Sequence, residues 1–157
     1  MEHRGQCIAV VSGKGGTGKT SFTAGVGAAL ALSGRRVLCL DCDIGLRNLD
    51  LALGLSDRTL MDFSDVAQNR CSLDLAAVEH PKIPGLFLLT APARLRGRPV
   101  TETQMTALLQ EVRRRYDFCL RVWAPAFSWP PAVPTAAWWS PQRTPPPCGT
   151  PSIRSWS

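Results

Sequence analysis

Gln6 to Thr20 reads QCIAVVSGKGGTGKT, and this stretch decides the fold. Its first part, Gln6–Ser12, is a short apolar run rich in valine and isoleucine, running straight into glycines. Such a run predicts a strand buried on both faces, as in a parallel sheet. Its second part, Gly13-Lys14-Gly15-Gly16-Thr17-Gly18-Lys19-Thr20, satisfies G-x-x-x-x-G-K-[ST] in full. From Gly18 to Ser33 the spacing turns helical, with Phe22, Val26, Ala29 and Leu30 on one side and Gly34 as the C′ residue. Arg36–Asp41 is a second buried strand, which completes a βαβ unit with a right-handed crossover.

The glycines let the backbone curl so that successive N–H groups point at phosphate oxygens, and the helix behind them adds a positive dipole end. The implied ligand is a nucleoside triphosphate, ATP with Mg²⁺. Gly13, Lys14, Gly15, Gly16, Thr17, Gly18, Lys19, Thr20 and Ser21 are the binding segment. Lys19 is expected to reach the β- and γ-phosphates and the Thr20 hydroxyl to ligate Mg²⁺. The competing reading is a chance glycine-rich turn, which the strand-to-helix context disfavours.

Further along, Thr59–Gln68 and Ser72–Val78 read as short helices opened by a Thr or Ser cap. Leu86–Thr90 is a third strand. Thr101–Arg115 is a helix with Met105, Leu108, Leu109 and Val112 on one face, and Tyr116–Leu120 begins a fourth strand. Alternating strands and helices predict a doubly wound α/β domain. No apolar run reaches the roughly 18 residues needed to span a bilayer, and no signal-peptide pattern opens the chain, so a cytoplasmic protein is expected. Cys39 and Cys42 form a C-x-x-C, yet only His3 and His80 are at hand to complete a metal set. Small packing residues are the better reading.

The formal charge of +6 is unevenly distributed. Residues 121–157 hold Arg121, Arg143 and Arg154 without one Lys, Asp or Glu, which leaves 15 basic and 12 acidic side chains in the first 120. That near balance gives no ground for a specific nucleic-acid partner.

Lys14, just after the first glycine, makes S-G-K-G-G-T-G-K-T resemble the deviant Walker A motif of the ParA/MinD family. Asp41–Asp50, DCDIGLRNLD, is similar to the D-x-D-I-G-L-R-N-L-D hallmark of the family's MinD branch. The resemblance continues through Leu60-Met61-Asp62-Phe63 and Pro84-Gly85-Leu86 into Tyr116-Asp117-Phe118, over about three quarters of the chain but only the first half of the family's domain. It implies a P-loop NTPase fold of which the N-terminal half is present. It also implies an Mg²⁺-dependent ATPase that switches between monomer and dimer in placing the division septum. Lys14 would cross to the partner's nucleotide and join Lys19 and Asp43 in catalysis. Asp43 would orient the attacking water, Asp41 would support the Mg²⁺, and Asp43, Arg47 and Asn48 would form the switch that senses the γ-phosphate. Read without the resemblance, Lys14 is a solvated loop lysine and the two aspartates are caps for the next segment. The implied partners are a second copy, regulatory division proteins and, through a C-terminal amphipathic helix that does not occur here, a membrane surface. A ParA-like DNA-partition ATPase, a flagellar-number regulator and a non-functional truncated fragment are the other readings, and Arg47-Asn48 favours the MinD branch.

The domain is expected to span residues 1–120, with 121–157 a Pro/Trp-rich tail. All five tryptophans and nine of the thirteen prolines lie in that tail. P-loop enzymes place an acid at the end of another apolar strand to help hold Mg²⁺. Here the chain continues Arg121-Val122-Trp123, and no Asp or Glu follows Asp117. The tail reads either as a disordered proline-rich extension or as a translation in the wrong frame. Ala137-Trp138-Trp139-Ser140 requires GCN-TGG-TGG followed by a serine codon. Read one base earlier with TCN for serine, it gives Leu, Met or Val and then Val-Val, an apolar strand of the kind the fold needs next. Sequencing the locus should show such an alternative frame downstream of codon 120; an uninterrupted frame to Ser157 with no strand-like alternative would remove the frame-error reading.

Overall fold

The computed structural model describes residues 5–11, 16–44, 46–94, 98–123 and 136–138. Along the chain these form β1 (Gln6–Val11), α1 (Lys19–Leu32), β2 (Val37–Asp41), α2 (Asn48–Ala52), α3 (Phe63–Ala67), α4 (Leu73–Ala76), β3 (Val78–Glu79), β4 (Leu86–Leu89), α5 (Glu102–Arg115), β5 (Phe118–Trp123) and β6 (Ala136–Trp138). They build one sheet in the order β3-β4-β2-β5-β1-β6. All neighbours are parallel except β3, which runs antiparallel to β4.

Burial on both faces explains why the strands read as unbroken apolar runs. In β2 all five residues are buried. Leu38 and Leu40 join the core under α3, α4 and α5, while Val37 and Cys39 join the core under α1 and α2. The first core holds the predicted face of α5, with Met105, Leu108, Leu109 and Val112 all buried. Thr101 caps that helix in a reciprocal box with Gln104, which satisfies two of its orphan donors.

Helix α1 modifies one expectation. Its fully buried stripe is Thr23, Gly27 and Ala31; of the expected face, Val26 and Leu30 pack partly buried against the core, while Ala29 is exposed and Phe22 is 43% exposed. Small residues let the helix lie close on the sheet. A Cβ at Gly27 would stand 2.7 Å from Cys39 Sγ and 3.3 Å from Leu86 Cδ1. The sequence pattern weighed hydrophobicity, whereas the packing selects for small volume. At the other end Gly34, at φ 85°, closes the helix. Its N–H donates to Ala31 O at 2.9 Å, and that of Arg35 to Leu30 O at 3.2 Å, a Schellman motif as expected.

Other elements also differ from the expected pattern. Helix α3 starts at Phe63 because Asp62, not Thr59, is its cap, accepting from the Ser64 and Asp65 N–H groups. Helix α2 arises where the sequence suggested loop, and α4 stops at Ala76, so that Val78, expected to end that helix, opens strand β3 instead. Strand β5 extends through Arg121 to Trp123, and Ala136–Trp138 pair with Ile8–Val10 at the sheet edge, so residues from both sides of position 120 enter one sheet. Among the described residues no helix is long and apolar enough to cross a membrane.

Gly27→Ala should destabilise the chain by about 1–3 kcal/mol through overpacking, read by urea denaturation. Cys39→Ala, which removes the sulfur in the way, should recover part of that loss in the double variant. A neutral Gly27→Ala would show that α1 does not depend on this close approach.

Candidate nucleotide site

The site grows from the carboxyl edge of the sheet, where β1 feeds α1 and β2 feeds α2. One strand, β5, separates β1 from β2, so the two loops leave the sheet two strand spacings apart, roughly 10 Å. Helices α1 and α5 pack against the two separate cores on the sheet's faces, and in doubly wound sheets ligands bind outside this carboxyl edge.

Gly13, Lys14 and Gly15 lie outside the described residues. Gly16 and Gly18 are in the left-handed region, at φ 74° and 82°. A Cβ at either would meet nothing within 4 Å, so backbone conformation, not space, calls for glycine there. Gly18 is the N-cap of α1 and contributes no side-chain cap; the first turn carries no acid. The helix therefore presents the positive end of its dipole without an acidic side chain of its own in that turn. Lys19 and Thr20 open the helix, partly buried, with Thr17 partly buried before them and Ser21 exposed after them.

Asp41 organises the second loop. It is the last residue of β2 and only 2% exposed. Its Oδ1 accepts the Asp43 N–H at 2.8 Å and its Oδ2 the Leu49 N–H at 3.2 Å. One carboxylate thus ties the strand end to the start of α2 across eight residues. Burial pushes the Asp41 carboxyl above its usual range and the charges of Asp43 and Asp50 add to this, while the two amides pull it back. Asp43 itself is partly buried.

Arg47 adopts φ 43°, a left-handed conformation uncommon outside glycine. Two partners hold it there: Nη2 is 3.0 Å from Asp50 Oδ2 and also donates to Thr59 Oγ1. Asn48 is the exposed first residue of α2. Sequence reasoning singled out Arg47 and Asn48 but missed Asp50 and Thr59, which fix Arg47 in position. Asp50, three residues on, carried a usable signal; Thr59, twelve away, did not. An open cavity of about 390 Å³ adjoins Arg47, bounded by Leu60, Asp62, Arg70, Pro92 and Arg94 among others.

The two cysteines of the C-x-x-C are free thiols. Burial pushes the Cys39 thiol up to about 12, which makes it inert. Among the described residues no three His, Cys, Asp or Glu side chains gather as a metal set.

Residues 8–119 match the CobQ/CobB/MinD/ParA nucleotide-binding domain. The chain belongs to that family. It is 42% identical over 113 residues to the septum site-determining protein MinD of Synechocystis, covering 72% of this chain and 42% of the relative. To MinD of Bacillus subtilis it is 38% identical over 117 residues, covering 74% and 44%. Among solved structures it resembles the MinC:MinD cell division protein complex of Aquifex aeolicus, with a TM-score of 0.69 and 36% identity over 78% of this chain and 49% of that one. MinD of Pyrococcus horikoshii complexed with Mg-ADP gives a TM-score of 0.61 and 30% identity, covering 74% and 47%. The chain thus spans under half the length of these curated relatives. The α/β fold of MinD-type P-loop proteins, represented by about half of its length, agrees with the sequence reading.

Asp41→Ala would leave the Asp43 and Leu49 amides without their acceptor. A loss of about 2–3 kcal/mol is expected in urea denaturation, with Asp41→Asn, which keeps one acceptor oxygen, losing less. Equal losses in both variants would mean that the hydrogen bonds do not set the loop.

Proposed function

We propose that this chain carries the nucleotide-binding half of a MinD-type ATP switch. The observation that carries the reading is the pairing of a glycine-led, acid-free helix start at Gly16–Thr20 with the Asp41-anchored loop on the same sheet edge. Backbone N–H groups from Gly13 to Ser21 cradle the phosphates, and Lys19 neutralises the β- and γ-phosphate charge. Lys14 acts in trans on a second copy's nucleotide, by the logic of an arginine finger. Asp43 orients the attacking water, and Arg47 and Asn48 convey the γ-phosphate's presence to α2.

The donor set suits Mg²⁺ on the β2 side. A buried Asp41 carboxyl raised by burial and by the neighbouring Asp43 and Asp50 charges is a place where a divalent cation relieves the penalty. When bound with ATP, Mg²⁺ supplies charge neutralisation at the phosphates. Thr20 and Asp41 are the residues that would hold it, directly or through its water. The β5 side offers no such donor: its end is Arg121-Val122-Trp123, with Val122 in register beside Asp41.

The cell-division role, the second copy, protein regulators such as the MinC seen with MinD in Aquifex aeolicus, and cytoplasmic residence with membrane recruitment belong to the same proposal. A second reading, an incompetent truncated fragment, is favoured by one observation. Arg121 is only 4% exposed in a central strand, where it faces Ala9 and Leu40 in register. A charge buried in a central strand is tolerated only when its neighbours compensate it, and this one falls at the first residue of the Pro/Trp-rich tail.

ATP binding, turnover and gel-filtration size should be compared for this chain and a frame-corrected one. The corrected chain should bind ATP, dimerise with it and hydrolyse it, while the present chain hydrolyses at least tenfold more slowly. In the corrected chain Lys19→Ala should abolish ATP binding, and Lys14→Ala should retain binding but lose ATP-dependent dimerisation. Intact dimerisation in Lys14→Ala would refute the trans role.

A further inference from the structure

Two of the free thiols face each other across the centre of the sheet. Cys7 on β1 and Cys119 on β5 are partners in the parallel register. They lie in the same core under α5, at 6% and 1% exposure. Arg121, two residues beyond Cys119 and so on the same face, brings a buried positive charge to this region. None of these residues belongs to the proposed nucleotide site.

We infer that Cys7 and Cys119 form a cross-strand dithiol that a small peroxide converts reversibly into a disulfide, fastening β1 to β5. Paired strands lie about 4.8 Å apart, within the roughly 4.4–6.8 Å Cα separation that disulfides span. Beside Cys119 in the ladder, the Cys7 thiol is held below its usual range by that neighbour, with Arg121 and Arg113 adding to the effect against burial. The neighbouring Cys7 and burial together hold Cys119 well above its usual range. Cys7, the less buried of the pair, is the attacking thiol and Cys119 the resolving one. The Cys7 thiolate attacks one peroxide oxygen, the O–O bond breaks, and the departing hydroxide takes a proton to leave as water. The Cys119 sulfur then attacks the Cys7 sulfenic acid, and its proton leaves with the hydroxyl as a second water. The two thiols lose two electrons, which reduce the peroxide. A pair spaced by the sheet ladder is held wider at Cβ than a relaxed disulfide prefers, so the bond should reopen readily with dithiothreitol.

The test uses the folded chain, hydrogen peroxide in the absence of denaturant, and non-reducing peptide mapping. The expected result is a loss of two hydrogen masses, a Cys7–Cys119 linked peptide, and its disappearance on reduction. Arg121→Met, which keeps the bulk and removes the charge, should form the link about fivefold or more slowly at the same pH. The inference is overturned if the folded chain oxidises at Cys71 or Cys148 instead. It is also overturned if Cys7 proceeds to sulfinic acid unlinked, if the link forms only in urea, or if its rate is indifferent to Arg121→Met. Because the mapping is done on the unsubstituted chain, the result does not depend on whether cysteine variants fold.

Discussion

The contact on which the rest of the structure depends is the close seat of α1 on the sheet, made by Thr23, Gly27 and Ala31. With Gly27 this near to Cys39 of β2, the helix cannot rise or slide without losing its contacts in a core that includes Leu86, Leu88 and Leu120. The helix start is thereby held at the carboxyl edge, and the glycines before it need supply only conformation. A bulkier inward stripe would bury more apolar area per residue but would lift the helix, and Gly16–Gly18 before it. Dense packing transmits such a displacement instead of absorbing it.

Asp41 does for the second loop what α1 does for the first. It places a charge where burial disfavours it and partly offsets the cost by accepting two backbone N–H groups. Asp50, buried nearby, is offset by Arg47, which in turn stays in a left-handed conformation because Asp50 and Thr59 hold its guanidinium. Positions in which a strained backbone and a penalised charge occur together are where a ligand has most leverage, since binding relieves both. The family membership of the chain is that of a nucleotide-binding domain, and this arrangement is where we propose the nucleotide sits.

Much of this was legible before any coordinates. The period of the apolar residues separated strands from helices, because burial on both faces leaves β2 no polar alternation. The α5 face was correct because that helix is amphipathic, with the buried residues on one stripe. The α1 face was read only in part, with Val26 and Leu30 against the core but the fully buried Thr23, Gly27 and Ala31 missed, because that helix is apolar nearly all round and only volume distinguishes its sides. The short helix α2 was hidden by a loop-like composition, and its start depends on Asp41, eight residues distant. The Thr59 cap failed for a related reason: its hydroxyl accepts from Arg47, whereas Asp62 supplies the helix cap. Long-range partners of this kind leave no periodic trace.

The central claim is that the phosphate loop and the Asp41 loop form one Mg-ATP site. Amide hydrogen exchange on the whole chain, with and without Mg-ATP, tests it most directly. Slowed exchange is expected together at Gly16–Ser21 and at Asp43–Leu49, with the second effect weakened when Mg²⁺ is withheld. Protection confined to one loop, or to neither, would contradict it.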